Sequence, residues 1–123
     1  MIVDTSAILA ILLQEPGWTS LHEQAISVPM LLMSGGTLQE LLIVALRKGI
    51  LAEVDELLIA LDLDYVAVDA TLARCGSELY RQYGKGTGHP AQLNCGDCFA
   101  AALAIVRQLP LLYAGEDFKA AGF

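Results

Sequence analysis

Met1-Ile2-Val3-Asp4-Thr5-Ser6-Ala7 runs three apolar residues into an acid and two hydroxyl residues, and Ile8 to Leu13 then continues apolar without a break. The pattern predicts a short buried strand that ends at Asp4, with a helix starting on Thr5 or Ser6. In an α/β sheet, ligands are held beyond the C-terminal ends of the strands. Asp4 therefore has two open roles: a helix N-cap, for which Asp is favoured, or an acid of a site. What separates the two is whether other acids reach the same edge.

Downstream, Gln14-Glu15-Pro16-Gly17 reads as a turn, with Pro16 able to open the next helix. Trp18 to Ser27 reads as a short amphipathic helix carrying Trp18, Leu21 and Ala25 on one side. Pro29 breaks it, and Met30-Leu31-Leu32-Met33 is the second expected strand. Ser34-Gly35-Gly36 then reads as a tight turn, and Thr37-Leu38-Gln39-Glu40 as a capping box opening a helix from Leu38 to Lys48. That box accounts for Glu40 by itself, yet Glu40 also lies within a turn of a strand's C-terminal end. Gly49 stops this helix, and Leu51 to Leu61 forms another. Tyr65-Val66-Ala67-Val68 is the third expected strand, and Asp69, a rival acid, is read as the cap of a helix from Ala70 to Tyr83. The glycines of Tyr83-Gly84-Lys85-Gly86-Thr87-Gly88-His89-Pro90 predict a flexible binding loop or lid. It lacks the spacing of a phosphate-cradling loop, and no acid nearby in sequence orients His89. Asn94 caps a helix from Cys95 to Gln108 with Asp97 at its third position. The apolar run from Phe99 to Val106 predicts burial nearly all round. Pro110 ends that helix, Leu111-Leu112-Tyr113 is the fourth strand, and Gly115-Glu116-Asp117-Phe118 follows at once.

This alternation of strands and helices predicts an α/β fold with a mostly parallel sheet covered on both faces. The 123 residues suffice for one domain with one real core. At 55% apolar residues and a mean hydropathy of +0.55, the chain is greasier than most soluble domains of its length. Some of its surface is therefore expected to be covered by a partner. No apolar run reaches the ~20 residues of a membrane span. The start has neither a basic segment nor a small-residue cleavage site, so the expectation is a cytoplasmic protein with no membrane attachment.

A net charge of −7 argues against a general nucleic-acid binder. It leaves open a metal-dependent enzyme acting on nucleic acid, because clustered carboxylates are reconciled by bound cations. Arg74, Arg81 and Lys85 are the one local basic group, read either as a solvated face or as a contact for a polyanion. Cys75, Cys95 and Cys98 do not suggest a disulfide framework. Cys95-Gly96-Asp97-Cys98 matches C-x-x-C. However, no strand leads directly into it, Asp97 opposes a thiolate, and a second pair for zinc is lacking. The two cysteines are read as small buried helix residues.

In a parallel sheet all C-terminal strand ends lie along one edge. Asp4, Glu40 and Asp117 come from that edge, and Asp97 can join them from a helix N-terminus. Such a set is a hard, oxygen-rich site suited to Mg²⁺ or Mn²⁺, and the chemistry that needs it is phosphodiester hydrolysis. No Ser or Cys nucleophile with a placed His competes.

The segments Asp4-Thr5-Ser6-Ala7, Thr37-Leu38-Gln39-Glu40, Leu93-Asn94-Cys95-Gly96-Asp97-Cys98 and Leu111 to Phe118 together resemble the motifs of the PIN domain, above all of VapC-type toxins from bacterial toxin–antitoxin pairs. The resemblance runs through nearly the whole chain in the right order. It implies a three-layer α/β fold with a four- or five-stranded sheet and a metal-dependent endoribonuclease restrained by a VapB-type antitoxin. Carried over position by position, it implies a catalytic quartet of Asp4, Glu40, Asp97 and Asp117. Asp4 and Asp97 would be direct metal ligands, supported by Ser6 and Asn94, with Glu116 able to trade roles with Asp117. It also implies a homodimer. Cys95 departs from the aromatic residue expected before Gly-Asp-Cys, and Ala121-Gly122-Phe123 departs from the usual Thr-Asp ending. Two other readings stand beside it. An aspartyl phosphatase would need a second acid two residues after Asp4, where Ser6 stands. A non-catalytic interaction module of the same fold would show no metal dependence.

Overall fold

The computed structural model describes all of residues 1–123. In chain order the elements are β1 (Ile2–Val3), α1 (Thr5–Leu12), α2 (Trp18–Ile26), β2 (Leu32–Ser34), α3 (Gly35–Lys48), α4 (Leu51–Ala60), β3 (Asp64–Val66), α5 (Ala70–Tyr83), α6 (Cys95–Arg107), β4 (Leu111–Leu112) and α7 (Asp117–Ala120). The four strands are parallel throughout, in the order β3-β2-β1-β4. Ile2 stands opposite both Leu32 and Leu111, and Val3 opposite Leu112.

Strand side chains alternate between faces, and the core divides accordingly. Ile2 and Leu32 turn toward α5, α6 and Phe118 of α7. Val3 and Met33 turn toward α1, α3 and α4, with Ala25 of α2 at the margin. The result is three layers, helices over both faces of one sheet, as expected. Because every connection between parallel strands must cross over, all four strands end on the same edge. Asp4, Gly35 and the turn after Leu112 therefore emerge side by side, and the Asp4 N–H donates to the Leu112 carbonyl at 3.0 Å.

The helices pack through matched surfaces. Leu72, Gly76 and Leu79 form the buried stripe of α5. It lies against the alanine-rich run Ala100 to Ala104 of α6, which is fully buried. At Gly76 the helices come so close that an added Cβ would lie 3.3 Å from the Cys98 carbonyl oxygen. Small residues on both helices permit this approach. Gly49 closes α3 in a left-handed conformation (φ +70°), with Arg47 and Lys48 beside the exposed carbonyls of the last turn.

Several sequence expectations are corrected. Strands two, three and four sit at Leu32–Ser34, Asp64–Val66 and Leu111–Leu112 rather than 30–33, 65–68 and 111–113, because pairing extends outward from the two-residue β1. Pro16 does not open α2; Gly17, at φ +87°, is its N-cap. Ser34-Gly35-Gly36 is no turn: Ser34 caps α3, its Oγ accepting from the Gly36 N–H at 3.2 Å, and both glycines are helical. A Cβ at Gly36 would overlap the Phe99 ring, so glycine is required there by packing. The outer end of α6 is not buried all round, since Ile105 and Val106 are exposed. The loop after α5 is pinned rather than free. Gly84 and Leu93 form a parallel bridge, Lys85 N–H donates to the Leu93 carbonyl at 3.0 Å, and Tyr80 Oη donates to the Lys85 carbonyl at 3.1 Å.

Candidate active site

Asp4 follows β1 and caps α1. Its Oδ2 accepts the Ser6 N–H at 2.9 Å and the Ser6 hydroxyl at 2.7 Å. The same Ser6 Oγ accepts the Ala114 N–H at 3.0 Å, tying the start of α1 to the turn that leads from β4 to Asp117. With Asp4 only 2% exposed, its second oxygen, Oδ1, is buried without any hydrogen-bond partner. Burial pushes the Asp4 carboxyl up to about 6 despite both Ser6 bonds, and the negative charges of Asp97 and Glu40 push the same way.

Asp97 sits in the first turn of α6 within a reciprocal capping box. Its N–H donates to Asn94 Oδ1 at 2.8 Å, and the Asn94 N–H donates to its Oδ2 at 2.9 Å. The box fixes the carboxylate's direction and leaves Oδ1 outside it. The Asp97 carboxyl is also raised, first by burial and then by the charges of Glu40 and Asp117, against a lowering influence from Lys85.

Glu40 comes from the second turn of α3. The expected capping box at Thr37-Leu38-Gln39-Glu40 does not exist, because Ser34 is the cap and Thr37 lies inside the helix. Glu40 is thus free of the structural duty that the sequence alone assigned to it. Its carboxylate rests on Gly96, where any Cβ would overlap it, so the glycine before Asp97 makes room for a second acid beside it. Sequence reasoning missed that role; a glycine inside a capped helix start, immediately before an acid, was the available signal. Thr37 has its own orphan: its Oγ1 is buried and unpartnered, while its carbonyl accepts the Thr5 hydroxyl at 3.4 Å.

Asp117 opens α7 and is exposed. Glu116 beside it faces solvent in a 3.4 Å pair with Lys119, one turn along. The fold thus sets Asp4, Glu40 and Asp97 within reach of one another's charge, with that of Asp117 also felt at Asp97 and with Ser6 and Asn94 each holding one acid. No three His, Cys, Asp or Glu side chains converge into a ready-made cage.

A divalent cation fits these residues on the strength of Asp4 Oδ1. A carboxylate oxygen with no donor, in an acid nearly shut off from water, is the costly arrangement that a bound cation resolves. Hard oxygen donors suit Mg²⁺ or Mn²⁺.

The remaining candidates fall away from this edge chemistry. Of the two cysteines expected to be buried, Cys98 is and Cys95, in the open first turn of α6, is exposed; burial, and then the negative charge of Asp97, push the Cys98 thiol up to about 11, opposite to what a redox or metal-binding cysteine needs. His89 packs edge-on to Tyr83 with ring centroids 4.9 Å apart. Its Nδ1 accepts the Ala91 N–H at 3.1 Å, so it is a loop-building residue, more ordered than its glycine-rich surroundings suggested. Ser6 is committed on both sides, and no second acid stands where an aspartyl phosphatase would place one.

The PIN-domain family model matches residues 1–123. The chain is 45% identical over 121 residues to ribonuclease VapC42 of Mycobacterium tuberculosis, covering 96% of this chain and 92% of that one. It is 41% identical over 122 residues to ribonuclease VapC of Mycolicibacterium smegmatis, covering 97% and 94%. In fold it resembles the crystal structure of M. tuberculosis VapC20, titled a sarcin-ricin loop cleaving toxin, with a TM-score of 0.70 at 16% identity over 99% of this chain and 95% of that one. By sequence match and by fold, this chain belongs to the PIN-domain family, among the VapC proteins.

Proposed function

We propose that this chain is a metal-dependent endoribonuclease, the toxin of a VapBC-type pair, and that Asp4, Glu40, Asp97 and Asp117 hydrolyse RNA phosphodiester bonds. The observation that carries the reading is the orphaned Oδ1 of buried Asp4, in a carboxyl whose charged form Asp97 and Glu40 disfavour. Membership of a family whose relatives are named ribonucleases supports it. Residues 1–123 act as a single domain in this reading.

Asp4 and Asp97 would hold Mg²⁺ or Mn²⁺, with Glu40 and Asp117 completing the negative charge around it. When bound, the cation neutralises charge building on the phosphate and acidifies a water for attack. The protein's own contribution is orientation. Ser6 locks the Asp4 carboxylate through two donors, Asn94 locks Asp97, and the Ser6–Ala114 bond keeps the segment bearing Asp117 and its neighbour Glu116 in register with β1. Preset ligands lose little freedom when the cation and substrate arrive.

The chain works in the cytoplasm, restrained by a VapB-type antitoxin; no helix is long and apolar enough to cross a membrane. Exposed apolar side chains, including Leu46, Ile59, Ile26 and Ile105, supply surface for antitoxin and for a homodimer. The test is cleavage of a tRNA pool by purified protein with Mg²⁺, Mn²⁺ or EDTA, beside Asp97→Asn. Cutting that needs metal and disappears in the variant is the expected result. Protein inert under every condition, with no heat of metal binding by calorimetry, would move the non-catalytic interaction module ahead.

A further inference from the structure

We propose that Arg47 and Lys85 are the phosphate contacts that lead an RNA strand across the acidic edge, one on each side of the carboxylates. The inference rests on the ribonuclease reading and deepens it by naming the substrate's path.

The physical problem is charge. A chain with a net charge of −7 and a pocket of acids repels a polyanion. Binding then depends on which cations stand beside the pocket, and only seven Lys and Arg exist. Arg81 is taken by Glu78, its Nε donating at 2.9 Å, and Lys119 by Glu116 at 3.4 Å. Arg47, Lys48, Arg74, Lys85 and Arg107 remain outside any ion pair.

Of these, Arg47 shares a cleft with Glu40. Gly36, Glu40 and Arg47 of α3 and Gly96 and Phe99 of α6 line an open groove of about 340 Å³. Glu40 and Arg47 lie two turns apart on one face of α3, about 10 Å along the axis. A strand with a phosphate at the carboxylates would therefore find the guanidinium farther along the same groove. Lys48, the next residue round the helix, is not part of the groove.

Lys85 lies between Tyr83 and Leu93, which pack in the layer on the other face of the sheet from α3. Its backbone is fixed by the bonds to Leu93 and Tyr80, and Leu93 runs directly into Asn94, which caps the helix carrying Asp97. The Lys85 side chain is exposed to solvent. Arg107, by contrast, ends α6, about 15 Å along the helix from Asp97.

Kinetics on the tRNA pool at fixed Mg²⁺ and varied KCl test this. Arg47→Gln and Lys85→Gln are each expected to raise KM while leaving kcat nearly unchanged. Each should also flatten the slope of log kcat/KM against log salt by about 0.7 to 0.9, and the double variant by about twice that. Arg47→Lys and Lys85→Arg, which keep the charge, should retain most of the slope, and Lys48→Gln and Arg107→Gln should behave as wild type. If the wild type cuts RNA but both neutral variants keep its slope, the inference fails and the ribonuclease reading stands. Equal losses in the Lys48 and Arg107 variants also overturn it, by showing a diffuse field instead of two contacts. A wild type that cuts no RNA with either metal overturns both.

Discussion

The ends of β1 and β3 are built alike and do different things. β1 runs straight into Asp4 and β3 reaches Asp69 through Ala67 and Val68, and each Asp is held extended (φ −94° in both) as the N-cap of the next helix. Each carboxylate accepts a backbone N–H at 2.9 Å, from Ser6 or from Leu72. Yet Asp4 is buried and Asp69 exposed. Two differences go with this: β1 is flanked by β2 and β4 whereas β3 is an edge strand, and Asp69 stands two residues farther from its strand end than Asp4 does. At an edge, water satisfies whatever the cap bond leaves over. At the centre, the start of α6 and the turn after β4 close over the strand end, and the spare oxygen is trapped. A capping motif makes a helix start; only its place in the sheet makes it a site.

The sharpest way to break this comparison is to neutralise both acids. Asp4→Asn should lower metal-dependent RNA cleavage by more than about a hundredfold, since even residues that merely support metal ligands are worth roughly 10- to 100-fold. Asp69→Asn, which keeps an acceptor at an exposed cap, should leave kcat/KM at the wild-type value. Equal losses at the two positions would mean that Asp4 acts only through its helix.

The sequence pattern made the layers and the acid edge legible because both follow from local rules. Apolar runs ending in an acid or a cap residue marked β1, β2 and β4, and the strand–helix alternation required a parallel sheet whose ends share an edge. What escaped was set by contacts that the local pattern does not show. Gly35-Gly36 reads as a turn by composition, but Gly36 is glycine because the Phe99 ring occupies the space of its Cβ. Thr37 through Glu40 satisfies the capping-box pattern, and Ser34, three residues earlier, takes the role because β2 delivers it to the helix start. The glycines of residues 84 to 88 suggested a free loop, and what the pattern did not show is the Gly84–Leu93 bridge that ties its base to the start of α6. Gly96 looked incidental and turned out to seat Glu40. For Gly36 and Gly96 the deciding neighbour lies more than 50 residues away; for the α3 cap it is three residues away, but on a strand whose end the local pattern misplaced.

A second, smaller effect sharpens the contrast between the two acids through pH. Burial pushes the folded Asp4 carboxyl up to about 6 from its ordinary 3.8. Between those values the folded chain binds a proton that the unfolded chain has released. Stability of the metal-free protein therefore falls as pH rises from about 4 to 6 and then levels off, by about 3 kcal/mol in all. Asp97, raised for the same first reason, adds in the same direction. Asp4→Asn removes the buried charge, so in EDTA at pH 7.5 it should be up to about 3 kcal/mol more stable than wild type in urea unfolding. The gain should vanish as pH approaches 4, and Mg²⁺ should narrow it by stabilising the wild type alone. A variant no more stable than wild type at pH 7.5 would show that Asp4 is not a strained, cation-seeking acid.

The smallest effect is the cap itself, and it is where the two helix starts should part in sign. Removing an N-cap acceptor costs about 1 kcal/mol. Asp69→Ala loses that bond and nothing else, so it should destabilise by about that amount at pH 7.5, and Asp69→Ser, whose hydroxyl oxygen can accept the same N–H, should recover most of it. Asp4→Ala loses a cap of the same kind but also relieves about 3 kcal/mol of buried charge at neutral pH. Its metal-free form should therefore be more stable than wild type at pH 7.5 and less stable near pH 4, where the carboxyl is already protonated and only the lost cap counts. Urea melts of both alanine variants at the two pH values check this. One substitution, made after two similar strands, is expected to give opposite signs at neutral pH because only one of the two caps is buried.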